Sequence, residues 1–462
     1  MKTTKREREY ALAHFNEVHH TTLNPEGPGV VRIHLIPPVV TGGEVESSVA
    51  IINGQDVIPV GRSWSILLTE FIEEVNTYAG QEISDEQAKT IVEAACARVK
   101  KVYPLAWKSR LRKDIFRIMN TFKQVAYGEP VEESIGYLNI GQYAPNMRAP
   151  HRMDLMVSAM TKDCKWNCNQ NCVHCYAAGQ EQSSEEELST EDWKAIIDKC
   201  RKIGIPQLTF TGGEPTMRED LPKLIDHAKW FVTRLNTNGI KLTKEYCEQL
   251  KKASLDSAQI TFYSCDEAIH NQLVGAPKYQ DTVAGIENAL AAGISLSINT
   301  PLCTLNKDYV KTLQFLHEKG VLYVTCSGLI NTGNAAKEAS ENLQLSLAEI
   351  REILKGAVEY CYKNGMEISF TSPGWVDESF CKELGISTPN CGACLSNMAI
   401  TPGGNVVPCQ SWLNGASLGN FLKDEWSQIW NSEACKEHKD FSALMRCECP
   451  LRIYREKGGQ EA

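Results

Sequence analysis

The sequence predicts an α/β protein built on a parallel sheet, and two observations in residues 153–370 carry that prediction. First, short apolar runs alternate there with amphipathic stretches at helical spacing. Second, the joints repeat one order of helix, glycine and strand: CRKIGIPQLTF at Gly204, ALAAGISLSIN at Gly293 and LHEKGVLYVTC at Gly320. Glycine just past a helix accepts the left-handed conformation that ends it. Strands are predicted at 154–160, 206–211, 231–236, 257–263, 294–300 and 321–327. Six strands separated by helices form a parallel sheet, open or curled into a partial (β/α)6 barrel. Ligands of such sheets sit at the C-terminal ends of the strands.

The flanking regions differ from this core. Residues 1–130 read as an α+β module. GVVRIHLIPPVV (29–40) is β-rich, and residues 49–60 form a hairpin around Asn53-Gly54, which supply the positive φ angles of a tight turn. Helices follow, one capped by Ser63, one capped by Ser84 and a third over roughly 105–124. Residues 131–152 are turn-rich and read as a linker. Residues 371–462 are rich in Cys, Gly and Pro, with a hairpin at MAITPGGNVVPC.

A chain of 462 residues exceeds one compact core and implies two or three domains. The net charge of −9 argues against bulk binding to nucleic acid or an anionic membrane. No apolar run is long enough to span a bilayer. The N-terminus, charged and then amphipathic, lacks the apolar core of a signal peptide. These features predict a cytoplasmic protein. Eighteen cysteines are then too many for disulfides in a reducing compartment and point to metal or redox chemistry. Cys96, Cys200, Cys247 and Cys361 stand alone in helical patterns and read as buried thiols. Ten of the other fourteen concentrate at 164–175 and 391–449.

In the first cluster, Cys168-x3-Cys172-x2-Cys175 suits three thiolates around one face of an iron–sulfur cubane. Three ligands leave one iron open to a small molecule carrying an amine and a carboxylate. A structural zinc site would be closed by a fourth ligand, with Cys164 or His174 available, and the spacing alone leaves that alternative open. The second predicted strand is followed by Thr211-Gly212-Gly213-Glu214-Pro215, whose bare glycine backbone lets a ligand approach closely. After the third strand comes Asn236-Thr237-Asn238-Gly239.

With these motifs in these places, the chain resembles the radical S-adenosylmethionine (SAM) superfamily over roughly 150–330. The resemblance implies that Cys168, Cys172 and Cys175 hold a [4Fe–4S] cluster with an open iron site that binds SAM. It implies that His174 lies near the adenine, that Gly212, Gly213, Glu214 and Pro215 contact the methionine amine, and that Asn236 and Asn238 supply polar contacts. Thr261 falls at the end of the fourth strand, where relatives carry a Ser-x-Asp; Tyr263 stands here in place of that acid. Asn299 matches the fifth-strand region beside the adenine, as a polar contact or as a strand-end cap. Such an enzyme takes an electron from an external donor of flavodoxin or ferredoxin type, cleaves SAM reductively and uses the 5′-deoxyadenosyl radical to abstract hydrogen from its substrate.

The second cluster comprises Cys391-x2-Cys394, Gly404 before Cys409, Leu418-Gly419-Asn420 and Cys447-x-Cys449-Pro450. It resembles the auxiliary-cluster domain called SPASM, or its shortened twitch form. The resemblance implies one auxiliary [4Fe–4S] cluster drawn from Cys391, Cys394, Cys409, Cys447 and Cys449, with Cys381 and Cys435 as bystanders. Zinc is again the alternative. Enzymes of this kind mostly modify peptides, and many carry an N-terminal winged-helix-like module that binds the leader of a ribosomally made precursor peptide; residues 29–125 are similar in order and size. The expected reaction is an oxidative crosslink within a peptide, a thioether or a C–C or C–O bond. Epimerisation, with Cys303 or Cys326 as hydrogen donor or simply as packed thiols, is an alternative. So is action on a small cofactor precursor, because Cys391-x2-Cys394-x14-Cys409 resembles the molybdenum-cofactor cyclase. A non-catalytic protein with structural metal is the third class. A basic run (Arg98, Lys100, Lys101, Lys108, Arg110, Arg112 and Lys113) reads as a solvated helix face or as a dock for an acidic peptide segment.

Overall fold

The computed structural model describes residues 2–23, 30–38, 40–41, 44–54, 56–79, 81–131, 135–144, 147–337 and 342–451. The chain divides into two compact units: Met1–His151 with Asp198–Pro206, and Arg152–Ile197 with Gln207–Ala462. The tail after Leu451, in which the sequence holds no further cysteine, lies outside the described residues. Among the described residues no helix is long and apolar enough to cross a membrane.

The first unit opens with a helix that the sequence reading did not place, α1 (Lys5–His14). It starts at Thr4 because the Thr4 hydroxyl accepts the Glu7 N–H while the Glu7 carboxylate accepts the Thr4 N–H. Strands β1 (His19–Leu23), β2 (Val31–Ile36), β3 (Ser48–Ile52) and β4 (Asp56–Val60) form an antiparallel sheet in that order. Asn53 and Gly54 take φ of 47° and 69° between β3 and β4, as their hairpin role requires. Helices α2 (Arg62–Asn76), α3 (Asp85–Val102) and α4 (Lys108–Tyr127) follow, and Ile33, Leu35, Ile66, Ile72, Ile115 and Ile118 fill the core they share with the sheet.

Ser84 caps α3 through the Gln87 N–H, but Ser63 does not cap α2. That helix is capped two residues earlier, at Gly61, and Ser63 lies in its first turn. Ser65 instead donates to the carbonyls of Val60 and Gly61, tying the turn to the end of β4. Three of the seven cations of the basic run are paired within this unit. Arg98 pairs with Glu70 and Glu74, and Lys108 and Arg112 share Glu93. The solvated-face reading therefore describes those three positions better than a dock for acidic peptide.

The second unit is built on β5 (Arg152–Ser158), β6 (Gln207–Gly212), β7 (Val232–Thr237), β8 (Ser257–Thr261), β9 (Ser295–Pro301), β10 (Tyr323–Ser327) and β11 (Glu367–Phe370). All seven run parallel, side by side in sequence order. The seventh was not expected from the sequence. The crossovers contain α5 (Thr190–Ile203), α6 (Leu221–His227), α7 (Lys244–Lys252), α8 (Glu267–Val274), α9 (Tyr279–Ala291), α10 (Tyr309–Glu318) and α11 (Leu347–Lys363). On the other side of β5 the sheet continues with β12 (Asn397–Ile400), which is parallel to β5, and then the antiparallel β13 (Asn405–Val407) and β14 (Gly419–Asn420). The C-terminal hairpin predicted at MAITPGGNVVPC is this β12–β13 pair, and it joins the two cysteine-bearing regions through one sheet.

Alternation along the strands separates two faces. Leu235, Ala258, Ile260, Leu296, Ile298, Val324 and Cys326 are buried on the helix side. Arg234, Asn236, Gln259, Thr261, Asn299 and Thr325 line a cavity on the other. The packed side carries a neutral histidine. His270 of α8 is fully buried against Phe262, Tyr263 and Tyr279, its Nδ1 accepts the Tyr263 N–H, and burial lowers its pKa from 6.5 to about 4. The unfolded chain takes up this proton first. The stabilisation is therefore complete above pH 6.5 and is lost as pH falls from there towards 4, on the order of 3 kcal/mol in all. Urea midpoints should fall between pH 7 and pH 5, and by less in His270→Phe; parallel pH profiles for the two proteins would contradict this origin.

Candidate functional site

A cavity of about 920 Å³ lies within the second unit, and both cysteine groups reach it. Its first wall is made by the turn after β6. Gly212 adopts φ of 137°, and a Cβ there would lie 2.3 Å from the Ser158 carbonyl oxygen, so only glycine suits the position. The Gly213 N–H donates to the Ser158 carbonyl (2.8 Å) and the Glu214 N–H to the Ser158 hydroxyl (3.1 Å). Ser158, the last residue of β5, thus fixes the turn; the sequence reading did not single it out.

Glu214 is buried and fully engaged. One carboxylate oxygen accepts from the Thr216 N–H and from the hydroxyls of Thr216 and Thr237; the other accepts from the Asn238 N–H at 2.8 Å. Burial raises its pKa and these four bonds oppose the rise. Glu214 therefore binds the β6 turn to the β7 turn and acts as a positioning residue. Asn238 carries the link onward, its side chain donating to Asn169 Oδ1 at 2.6 Å in the cysteine loop. Pro215 opens a short 3-10 turn and is buried under the motif.

Cys168, Cys172 and Cys175 line the cavity together. Their loop is held from several sides. The N–H groups of Asn171 and Val173 donate to the carbonyls of Val274 and Leu273, at the end of α8. The loop after β10 grips it as well: Asn334 donates its backbone N–H to the Cys175 carbonyl (2.8 Å) and its side-chain amide to the Cys172 carbonyl (3.1 Å). Gly333, at φ of 58°, lies so close that a Cβ would meet the Tyr176 carbonyl at 2.4 Å. Gly333 and Asn334 were also missed from the sequence, since no cysteine or known motif marks them. Burial pushes the Cys168 thiol up to about 12 and raises Cys172 and Cys175 too. Such thiols keep their protons until a metal displaces them.

Tyr263 occupies the place of the expected acid. It is buried, hydrogen-bonded to the Cys172 thiol, and packed edge-on against His174 with ring centroids 4.9 Å apart. His174 lines the same cavity, is held neutral by burial with a pKa lowered to about 4, and has no protein partner for either ring nitrogen among the described residues. Asn236 Oδ1 is likewise buried without a partner. Asn299 accepts from the Thr325 hydroxyl at 2.9 Å, and Thr261 lines the cavity beside it. Cys164 is exposed and does not line the cavity.

The C-terminal cysteines sort into three groups. Cys391, Cys409 and Cys449 line the cavity. Cys394 does not: it is fully buried and hydrogen-bonded to the equally buried Cys435. Cys435 sits near the start of α12 (Glu433–Ala443), and Ser442 of that helix anchors the cysteine loop by donating to the Ala393 carbonyl at 2.8 Å. Cys447 does not line the cavity, and its thiol donates to the Val376 carbonyl at 2.7 Å. Three cavity-lining thiols per group, orphaned polar atoms beside the first group and a glycine-lined approach form a donor set suited to iron–sulfur clusters and a polar cosubstrate.

Comparison with known proteins agrees with this geometry. The model of the radical SAM superfamily matches residues 167–316, and that of the SPASM iron–sulfur cluster-binding domain matches residues 391–450. The AdoMet-dependent heme synthase of Nitratidesulfovibrio vulgaris is 30% identical over 282 residues, 57% of this chain and 76% of that protein. The chain belongs to the radical SAM superfamily.

Two further relatives of this radical SAM enzyme differ in named activity. The Fe-coproporphyrin III synthase of Methanosarcina barkeri is 32% identical over 190 residues, 39% of this chain, and the match spans only 47% of that protein. The PqqA peptide cyclase of Streptomyces rochei is 27% identical over 57% of this chain and 72% of its own length. Among solved structures, SuiB of Streptococcus suis, crystallised with its precursor peptide SuiA, shares the fold over 89% of this chain and 94% of its own at a TM-score of 0.58 and 15% identity.

The radical SAM domain carries a [4Fe–4S] cluster and binds SAM, and the SPASM domain carries auxiliary iron–sulfur chemistry. The role of Glu214 leads to a direct expectation. Glu214→Gln turns one acceptor into a donor and misaligns both turns, at a cost of about 2 kcal/mol. SAM affinity of the cluster-loaded radical SAM enzyme should fall more than tenfold in equilibrium dialysis. Unchanged affinity would show that the two turns hold without this carboxylate.

Proposed function

We propose that this radical SAM enzyme is a peptide maturase that makes an oxidative crosslink within a ribosomally synthesised peptide. In this reading Cys168, Cys172 and Cys175 hold the SAM-cleaving cluster, and Cys391, Cys409 and Cys449 supply ligands to one auxiliary cluster. His174, Asn236 and the Gly212–Gly213 backbone surround SAM. The bound group supplies reductive cleavage of SAM, driven by an external flavodoxin- or ferredoxin-type donor, and hydrogen abstraction from the substrate. The chain's own residues fix the two turns through Ser158 and Glu214 and hold the cysteine loop through Asn334.

One observation carries the oxidative part of the reading. The two cysteine groups open on the same cavity, and among the described residues they are its only cysteines. Cys303 and Cys326, the hydrogen-donor candidates of an epimerase, are fully buried and do not line it. A substrate radical in this cavity therefore has an electron acceptor near it and no free thiol donor. The peptide part is supported by the likeness to SuiB, which extends over the N-terminal unit as well as the core. In this reading residues 1–130 bind the leader by adding it to a sheet edge.

The test is anaerobic incubation of the reconstituted enzyme with SAM, a reductant and the peptide encoded by a short open reading frame beside its gene. Mass spectrometry should show a peptide lighter by two hydrogens and one 5′-deoxyadenosine per turnover. An unchanged mass with solvent deuterium uptake would mean epimerisation. A second reading, action on a tetrapyrrole, is supported by the likeness to the heme synthase. Iron-coproporphyrin III offered to the same enzyme would then be consumed where the peptide is not.

A further inference from the structure

We infer that Arg234, on the cavity face of β7, forms a carboxylate-binding subsite that holds an acidic group of the substrate. This rests on reading the cavity as the substrate site. Arg234 lies on β7 two residues before Asn236, on the same face, and both line the cavity. Two residues along a strand correspond to about 6.6 Å, so Arg234 lies that much further from the strand ends that carry the motifs read as the SAM site. Among the described residues the Arg234 side chain has no hydrogen bond or ion pair.

Its neighbours explain why. Asp154, 1% exposed on β5, is the nearby carboxylate, but Arg152 already holds it with two bonds, Nε to Oδ1 at 2.8 Å and Nη2 to Oδ2 at 3.3 Å. Arg152 and Arg234 both line the cavity, so two guanidinium groups face one occupied carboxylate. Burial, Arg152 and the opposing pull of Asp154 act on Arg234 in that order, with a net lowering of its pKa. An enclosed guanidinium left unpaired is unfavourable, and a second anion in the cavity would relieve it. The planar fork suits a carboxylate bound through two parallel hydrogen bonds.

The side chains around it are neutral: Thr209, opposite Arg234 on β6, lines the cavity, as do Gln259 of β8 and Thr325 of β10 further along the sheet. The carboxylate of SAM is accounted for elsewhere, since the open iron takes a small molecule through its amine and carboxylate. The anion for Arg234 therefore comes from another molecule: an Asp or Glu side chain of a peptide, or the carboxylate of a small substrate.

The test uses the cluster-loaded, SAM-bound, full-length enzyme and carbon-13 carboxyl-labelled propionate as the probe, observed by NMR line broadening. Wild type should bind propionate, Arg234→Lys more weakly, and Arg234→Gln at least tenfold more weakly, all at equal iron content. Displacement by a hexapeptide with one glutamate, and not by its glutamine twin, assigns the subsite to a peptide side chain. Displacement by glutarate alone assigns it to a small carboxylate. Equal propionate binding by wild type and Arg234→Gln, or none by either, overturns the inference. So does an Arg234→Gln protein that loses SAM affinity while propionate binding stays the same. Propionate binding is read without turnover, so it stands or falls separately from the peptide-crosslinking activity.

Discussion

Alanine in place of Cys168, Cys172 or Cys175 is expected to abolish 5′-deoxyadenosine formation. The three thiols share one cavity wall, and their loop is pinned at Asn171, Val173 and by Asn334, so no other cysteine can swing in to replace a lost ligand. Cys164, the nearest in sequence, is exposed and outside the cavity. Each variant should lose about four irons per chain, the content of one cubane. Serine variants should behave alike, because a buried hydroxyl is a poor iron ligand. The checks are iron analysis and chromatography of the SAM products. Residual 5′-deoxyadenosine within tenfold of wild type would refute this ligand set.

The second large effect separates the C-terminal cysteines. Alanine at Cys391, Cys409 or Cys449 should remove about four irons per chain while SAM is still cleaved, and the modified peptide should fall at least a hundredfold. The uncoupling is expected because the first cysteine loop does not depend on those thiols. Cys394→Ala should keep its iron. Its thiol meets Cys435 in a fully buried contact, so its loss leaves a small cavity and lowers the melting temperature by a few degrees, at about 1 kcal/mol. A Cys394→Ala protein lacking one cluster would reverse this division.

The sequence made the parallel sheet legible because its joints are local: helix, glycine, strand. Gly204, Gly293 and Gly320 all take left-handed φ angles. The same joint precedes the unexpected strand β11, at Gly365 with φ of 70°, but the strand has only four residues and alternates exposed and buried positions. Its short apolar signal did not separate it from a loop. α1 was hidden differently, since its first five residues are all charged, the amphipathic stretch after them is short, and its start depends on the Thr4–Glu7 cap.

Within the site, the motif residues were legible and their connections were not. Gly212, Gly213, Cys168, Cys172 and Cys175 announce themselves by spacing. That Glu214 spends both oxygens on Thr216, Thr237 and Asn238 depends on two strand ends meeting in space. The pairing of Cys394 with Cys435 depends on a helix that begins after Ser432, some forty residues later in the chain. Arg234 follows the same logic: one arginine in a strand says nothing until Asp154 is found already occupied by Arg152.

The central claim, that hydrogen is taken from a peptide bound in this cavity, is tested most directly by isotope transfer. The precursor peptide is made with deuterium at each candidate residue in turn and incubated anaerobically with the reconstituted enzyme, SAM and reductant. One labelled residue should yield 5′-deoxyadenosine carrying a single deuterium, with a crosslinked peptide lighter by the lost deuterium and one further hydrogen. Unlabelled 5′-deoxyadenosine from every labelled peptide, with SAM still consumed, would contradict it.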